Sequence, residues 1–70
     1  MFEVVVMVCL AATGLDCKEF KLPEKQYPDV VTCIRDSQEK GAEWQLANNK
    51  YTIIGTRCVK DPDVPDAPKS

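Results

Sequence analysis

The chain has 70 residues, which is enough for one small domain, and its hydrophobic content of 44% favours a compact core over wholesale disorder. Its net charge of −2 comes from the last ten residues, because residues 1–60 hold eight acidic and eight basic side chains. A neutral body with an acidic tail lacks the basic surface that a phosphate backbone requires, so we expect no nucleic-acid partner.

The apolar run over residues 4–12 does not have the features of an export signal. No lysine or arginine precedes it, Glu3 stands where a positive charge is expected, and its nine residues are too few to span a bilayer. We therefore expect neither a cleavable signal nor a transmembrane segment. The localisation stays open, because disulfide bonds would need an oxidising compartment or an assembly that leaves the cell.

The first part of the chain predicts a β-hairpin. Residues 2–10 are rich in valine and predict a strand. Residues 16–22 alternate apolar and polar side chains and predict a second strand, which Pro23 ends. A loop over residues 12–14 suits this hairpin, since Gly14 can adopt the left-handed backbone that the third loop position needs.

The register of this hairpin follows from its loop. If residues 12–14 form the loop, paired positions sum to 26, and the apolar side chains of both strands then share one face. On the other face Cys9 lies opposite Cys17. Paired antiparallel positions have Cα atoms about 4.5 or 5.5 Å apart, within the range that a disulfide accepts.

A helix follows, which opens at Pro28 and is stopped by Asn48-Asn49. A period of 3.6 residues places one set of side chains on the face toward the sheet: Val30, Cys33, Ile34, Ser37, Gly41 and Trp44. Residues 51–59 are mostly apolar and β-branched, and they predict a third strand. Residues 61–70 place three prolines among charges and predict a disordered acidic tail.

These elements predict an α+β domain over residues 1–60 with the element order β-β-α-β. A crossover helix after a hairpin brings the third strand back beside the first. The expected architecture is therefore a three-stranded antiparallel sheet of strand order 2-1-3, with one helix packed on one face.

Four cysteines, Cys9, Cys17, Cys33 and Cys58, are the residues most able to carry chemistry. The last two lie at the same pole of this topology, so the favoured pairing is Cys9 with Cys17 and Cys33 with Cys58. A zinc site is an alternative, but spacings of 7, 15 and 24 residues lack the short pairs that structural zinc sites use. Buried free thiols are the third alternative.

Nothing in the sequence predicts an enzyme. A nucleophilic cysteine needs a base or positive surroundings, and the chain contains no histidine. Its three glycines are scattered, so a phosphate-binding loop is not expected. We therefore expect no catalytic residue, no metal ion and no cofactor.

An interaction surface is expected on the sheet face away from the helix. If Cys58 points toward the helix, alternation along the third strand sends Tyr51 and Ile53 to the other face, where Val5 and Met7 also point. An uncovered apolar patch rimmed by charge is typical of a contact site. These four residues therefore predict self-association or docking of a protein partner.

Two stretches carry a resemblance: Cys33-x-x-x-Ser37-Gln38-x-x-x-Ala42-x-Trp44, and the opening Met1-Phe2-Glu3-Val4-Val5. Together with the four cysteines they resemble a group of short alphaproteobacterial proteins. That group usually continues with His-Pro-x-Trp and a later Trp, where this chain has Asn48-Asn49, Tyr51 and Thr56. No activity is established for the group, so the resemblance implies the four-cysteine module and no function.

The sequence is best interpreted as a small disulfide-stapled protein-interaction or structural module, which could be a component of a larger assembly. The alternative is a thiol- or metal-responsive regulator in which the same cysteines are reduced or bind an ion. The two interpretations differ in the chemical state of the cysteines, which the sequence leaves open.

Overall fold

The computed structural model describes residues 1–68, with side chains for all of them except residues 23–25. Its elements are β1 (Phe2–Leu10), β2 (Lys18–Tyr27), α1 (Val30–Ala47) and β3 (Tyr51–Lys60). The strands form one antiparallel sheet in the order β2-β1-β3. The helix α1 packs on one face, here called the first face. The predicted α+β class, element order and sheet order are confirmed.

The β1–β2 hairpin has the predicted register from Val4 to Val8. Val4 lies opposite Leu22 and Val6 lies opposite Phe20, so the paired positions sum to 26. At the loop the register departs from the prediction, because the Leu10 N–H donates to the Leu15 carbonyl and β2 begins only at Lys18. Gly14 has a φ of 71°, which is the left-handed backbone expected of it. The local pattern of apolar residues and one glycine is therefore sufficient to set this half of the sheet.

The second strand is longer than predicted. The prediction that Pro23 ends it is wrong, because β2 continues to Tyr27. The β1–β2 pairing shifts between Phe2, which lies opposite Tyr27, and Val4. Such a shift leaves residues of β2 without a hydrogen-bonded partner in β1. Pro23 lies there, and a sheet tolerates a proline at such a position because no ladder bond needs its missing N–H.

The core lies between the first face of the sheet and α1. Its fully buried members are Tyr27, Cys33 and three alternate residues of β1: Val4, Val6 and Val8. The Tyr27 hydroxyl donates to Asp36 Oδ2 at 3.1 Å, so the polar end of this buried ring is satisfied. Burying each valine side chain stabilises the fold by about 1.5–3 kcal/mol.

The helix α1 begins at a side-chain cap and approaches the sheet closely. The Asp29 carboxylate accepts the Thr32 backbone N–H at 2.8 Å and the Thr32 hydroxyl at 3.1 Å. These two bonds lower the pKa of Asp29. Gly41 faces β3 so closely that a Cβ there would lie 3.4 Å from Thr56 Cγ2. A small residue at this position therefore lets the helix lie on the strand.

One side of α1 extends beyond the sheet. The helical period placed Val30 and Ile34 in the core, but they are 40% and 55% exposed. Cys33, between them, is buried and is bonded to Cys58 of β3. Because β3 is an edge strand, a helix tied to it has no sheet under its outer side.

A β-bulge at Ile54 reverses the alternation along β3. Met7 pairs with Gly55 and Val8 pairs with Ile53, which leaves Ile54 outside the register. Ile54 is 62% exposed, whereas Ile53 packs against the core. The residues of β3 that precede the bulge therefore face opposite to what strict alternation predicts.

Residues 61–68, here called the strap, run from the end of β3 to the opposite edge of the sheet. The strap begins at Asp61, whose φ of 50° lies in the left-handed region. At its far end Asp66 forms a parallel bridge with Lys21 of β2. The expected disordered tail is thus corrected for residues 61–68, which lie against the sheet, and residues 69–70 lie outside the described residues.

The strap must cross the sheet to pass from the end of β3 to the outer edge of β2, and α1 already occupies the first face. It therefore crosses on the second face, which points away from α1. Val5 points to this face and is nevertheless completely buried, and Pro62 of the strap is buried as well. The ion pair between Arg57 and Glu19 joins β3 to β2 and therefore spans β1 on this same face. Both faces of β1 are covered.

Ending the chain after Lys60 should lower its thermal stability, because it uncovers Val5. Exposing one fully buried valine costs about 1.5–3 kcal/mol, which corresponds to a fall in Tm of roughly 6–24 °C for a domain of this size. Thermal unfolding followed by circular dichroism would measure it. As a control, Asp66→Ala removes one exposed ion pair with Lys21 and should cost no more than about 1 kcal/mol. An unchanged Tm after truncation would contradict the role given to the strap.

Candidate functional site

The four residues of the predicted interaction patch do not form one exposed surface. Val5 is buried under the strap, and Met7 is half-buried with its Cε placed over Gly55. Tyr51 and Ile53 lie on the first face, packed against the core. The prediction is therefore corrected for two physical reasons, namely the bulge that turns Tyr51 and Ile53 inward and the strap that covers Val5.

Tyr51 belongs to an aromatic cluster with Phe20 and Trp44. The ring centroids of these residues are 5.9 to 6.3 Å apart. Trp44 Nε1 also donates to the Pro68 carbonyl at 3.1 Å. The cluster thus connects β2, α1, β3 and the strap, and the sequence-based placement of Trp44 in the core agrees with it.

An open surface lies between α1 and the outer edge of β3. A cleft of about 410 Å³ opens there, here called the α1–β3 cleft. Its walls are residues 53–56 of β3 and four residues of α1: Gln38, Gly41, Ala42 and Gln45. Two of the helical wall residues are small: Gly41 is buried against Thr56, whereas Ala42 is exposed.

Exposed apolar side chains border the cleft. Ile54, which lines it, is 62% exposed, and Val31 and Ile34 of α1 are 61% and 55% exposed. Steps of three and four residues lead from Val31 through Ile34 and Gln38 to Ala42, so the first two continue the helical wall of the cleft. Sequence alternation missed Ile54, although Gly55 within a strand pattern is a signal for a bulge.

One half of the outer edge of β3 is closed by a side chain. Gln45 Nε2 donates to the Tyr51 carbonyl at 3.2 Å, and Gln45 Oε1 accepts the Ile53 backbone N–H at 3.1 Å. The amide of Gln45 thus supplies the donor and the acceptor that a neighbouring strand would supply.

The other half of this edge begins beyond the bulge. In an antiparallel sheet the backbone N–H and C=O groups of successive residues point to opposite neighbouring strands. The backbone groups of Leu10 bond to the hairpin loop, which lies on the β2 side. The even-numbered residues of β1 therefore direct their backbone groups to β2, and the odd-numbered residues direct theirs to β3. The partners of those odd-numbered residues in this half are residues 55, 57 and 59. Thr56 and Cys58 therefore direct their backbone groups away from β1. Within residues 1–68, no strand pairs with that side of β3.

The cysteines form the two predicted disulfides, Cys9–Cys17 and Cys33–Cys58. The described part of the chain contains no free cysteine and no group of residues able to hold a metal ion. The second bond joins α1 to β3 near one end of the α1–β3 cleft. It therefore fixes the position of the helical wall relative to the strand.

Replacing Cys33 and Cys58 together by alanine should destabilise the protein more than replacing Cys9 and Cys17. The two bonds join residues 25 and 8 positions apart, for which loop entropy gives about 3.5 and 2.5 kcal/mol. Cys33 is also fully buried, whereas Cys17 is exposed. Urea unfolding of the two double variants would measure the order, and the reverse order would contradict this ranking.

Tyr27 should make the protein less stable at alkaline pH. Burial raises the pKa of Tyr27 above its ordinary value of 10.0, and the hydrogen bond and charge of Asp36 and the charge of Glu39 raise it further. The unfolded chain has the ordinary pKa and the folded protein has the raised one. Between them the folded protein keeps a proton on Tyr27 that the unfolded chain has lost. The free energy of unfolding should therefore decline as the pH rises above about 10.

Urea unfolding at a series of pH values would test this dependence. The matched variant is Tyr27→Phe, which has no phenol to ionise and should lose that part of the decline. If Tyr27→Phe declines as steeply as the intact chain, another group is responsible.

Comparison with protein families, with curated proteins and with solved structures found no match to this chain. Within residues 1–68, no helix is long and apolar enough to cross a membrane. The assignment of a function therefore depends on the geometry of the α1–β3 cleft.

Proposed function

We propose that this chain is a small disulfide-stapled interaction module that binds an extended strand of a partner protein in the α1–β3 cleft. The outer edge of β3 carries this proposal. There Thr56 and Cys58 direct their backbone groups away from β1, beside the exposed Ile54. An added strand satisfies such groups, and this is a common way for proteins to hold extended segments.

The cleft gives the added strand a place for its side chains. Successive side chains of a strand alternate, so every second one would point toward α1. Ala42 is small and exposed there, and the cleft volume of about 410 Å³ is enough for a large apolar side chain. Val31 and Ile34 lengthen the apolar wall. The partner strand is therefore expected to carry a bulky apolar residue on its helix-facing side.

Gln45 limits where the partner strand can pair. Its amide already bonds the Tyr51 carbonyl and the Ile53 N–H, so these positions are closed. An incoming strand pairs beyond the bulge, with the half of β3 that ends at Lys60. The register of the complex is set by this boundary.

A binding role fits the chemistry of the chain better than a catalytic one. The sequence has no histidine, and all four cysteines are held in disulfides, so a thiolate is not available as a nucleophile. The carboxylates Glu39 and Glu43 are exposed on the side of α1 away from the sheet. The described side chains therefore favour recognition by shape and backbone pairing.

Combining Ile34→Lys with Ile54→Lys should weaken binding and leave the fold intact, because both side chains are more than half exposed. The probe is a displayed library of random nine-residue peptides, from which enriched sequences are synthesised and their Kd measured. The double variant should weaken binding by at least about tenfold.

The matched control combines Leu15→Lys with Leu46→Lys. These side chains are 67% and 85% exposed and lie outside the cleft, so this variant should bind as the intact chain does. Hydrogen exchange should show protection of the Thr56 and Cys58 amides on binding. The proposal is overturned if the intact chain enriches no peptide, or if the control loses as much affinity as the cleft variant.

A further inference from the structure

The contacts between the strap and β2 are confined to one short segment of each, and the strap of a second copy of the chain could make all of them. The Lys21 N–H donates to the Pro65 carbonyl at 3.0 Å, and the Ala67 N–H donates to the Lys21 carbonyl at 2.8 Å. The Lys21 ammonium lies 3.7 Å from the Asp66 carboxylate. The strap is joined covalently to the end of β3 by the turn at Asp61, so these contacts do not require that the strap and β2 belong to the same copy.

That turn holds an unfavourable backbone conformation. Asp61 has a φ of 50°, in a region that side chains other than glycine enter at a cost, although aspartate tolerates it better than most. Pro62 follows directly, and its ring and that of Pro65 stiffen the strap into an extended arm. If the arm continued straight from β3 to another molecule, Asp61 could adopt extended backbone and this cost would be removed.

We infer that this chain forms a dimer by exchanging straps, so that residues 61–68 of each copy lie on β2 and the second face of the other. The strap contacts are the same in the closed monomer and in the exchanged dimer. The two states differ in the backbone at Asp61 and in the entropy lost when two molecules associate. The ratio of closed monomer to exchanged dimer therefore depends on protein concentration. Within one chain the turn holds the strap near β2 at an effective concentration of roughly 1 mM, so exchange is expected at protein concentrations near that value.

The exchange leaves the α1–β3 cleft unaltered, because the strap lies on the other face and at the other edge of the sheet. It is therefore independent of the proposed function. Peptide binding in the cleft and strap exchange can each be present without the other.

Substitutions at the turn should shift the balance in opposite directions. Asp61→Gly accepts a positive φ and should keep the chain monomeric, whereas Asp61→Val disfavours that backbone and should raise the dimer fraction. Asp63→Val is the matched control, since it makes the same chemical change outside the turn. Sedimentation velocity of the full chains at about 1 mM would measure the dimer fraction.

A second experiment separates strap exchange from any other association. Lys21→Glu and Asp66→Lys each place like charges on the strap contact, both in the closed monomer and in an exchanged dimer of identical copies. When the two variants are refolded together, exchange between unlike copies restores an opposite-charge pair at both contacts. The mixture should then dimerise about tenfold more strongly than either variant alone.

The inference fails if Asp61→Val stays monomeric under these conditions, or if it dimerises no more than Asp63→Val. It also fails if the mixture of Lys21→Glu and Asp66→Lys associates no better than its components. An increase in dimer that is confined to Asp61→Val and to the mixed pair supports strap exchange.

Discussion

The structure depends on the need to cover β1 on both faces. Successive side chains of a strand point to opposite faces, and β1 has valine at positions 4, 5, 6 and 8, so water on either face would expose apolar surface. The helix α1 covers one face. The strap covers the other with an extended segment, assisted by the ion pair of Arg57 and Glu19. A very small domain thereby obtains a central strand buried on both sides, which is more typical of sheets with helices on both faces.

The parts of the fold that follow from local patterns could be predicted from the sequence. The hairpin register depends on nearby features such as Gly14 and the run of valines. The end of α1 depends on Asn48, whereas the pairing of Cys33 with Cys58 follows from the β-β-α-β topology. The bulge at Ile54 could not be placed by alternation, because a single extra residue reverses every side chain before it. The strap could not be predicted from its own prolines and charges, because burial of apolar surface elsewhere in the chain, such as Val5, favours its position on the sheet.

The interaction surface lies elsewhere than the sequence predicts for a similar reason. An apolar second face predicts a partner, but the chain covers that face with its own residues. The α1–β3 cleft depends on where the helix lies relative to an edge strand, which the sequence pattern of α1 does not specify. Edge strands are prone to unwanted pairing. Here the outer edge of β2 receives the strap at Lys21, and part of the edge of β3 receives the amide of Gln45. The other half of β3 keeps its outward backbone groups open to a partner strand.

The Cys33–Cys58 bond has a thermodynamic consequence for any ligand of the cleft. This bond ties the helical wall to β3, so a strand that fits between them should bind the oxidised chain more tightly than the reduced one. Binding and redox state are then linked equilibria, and the linkage acts equally in both directions. A partner that prefers the oxidised chain must make the bond harder to reduce by the same factor, and so occupancy of the cleft would protect the disulfide from reducing thiols.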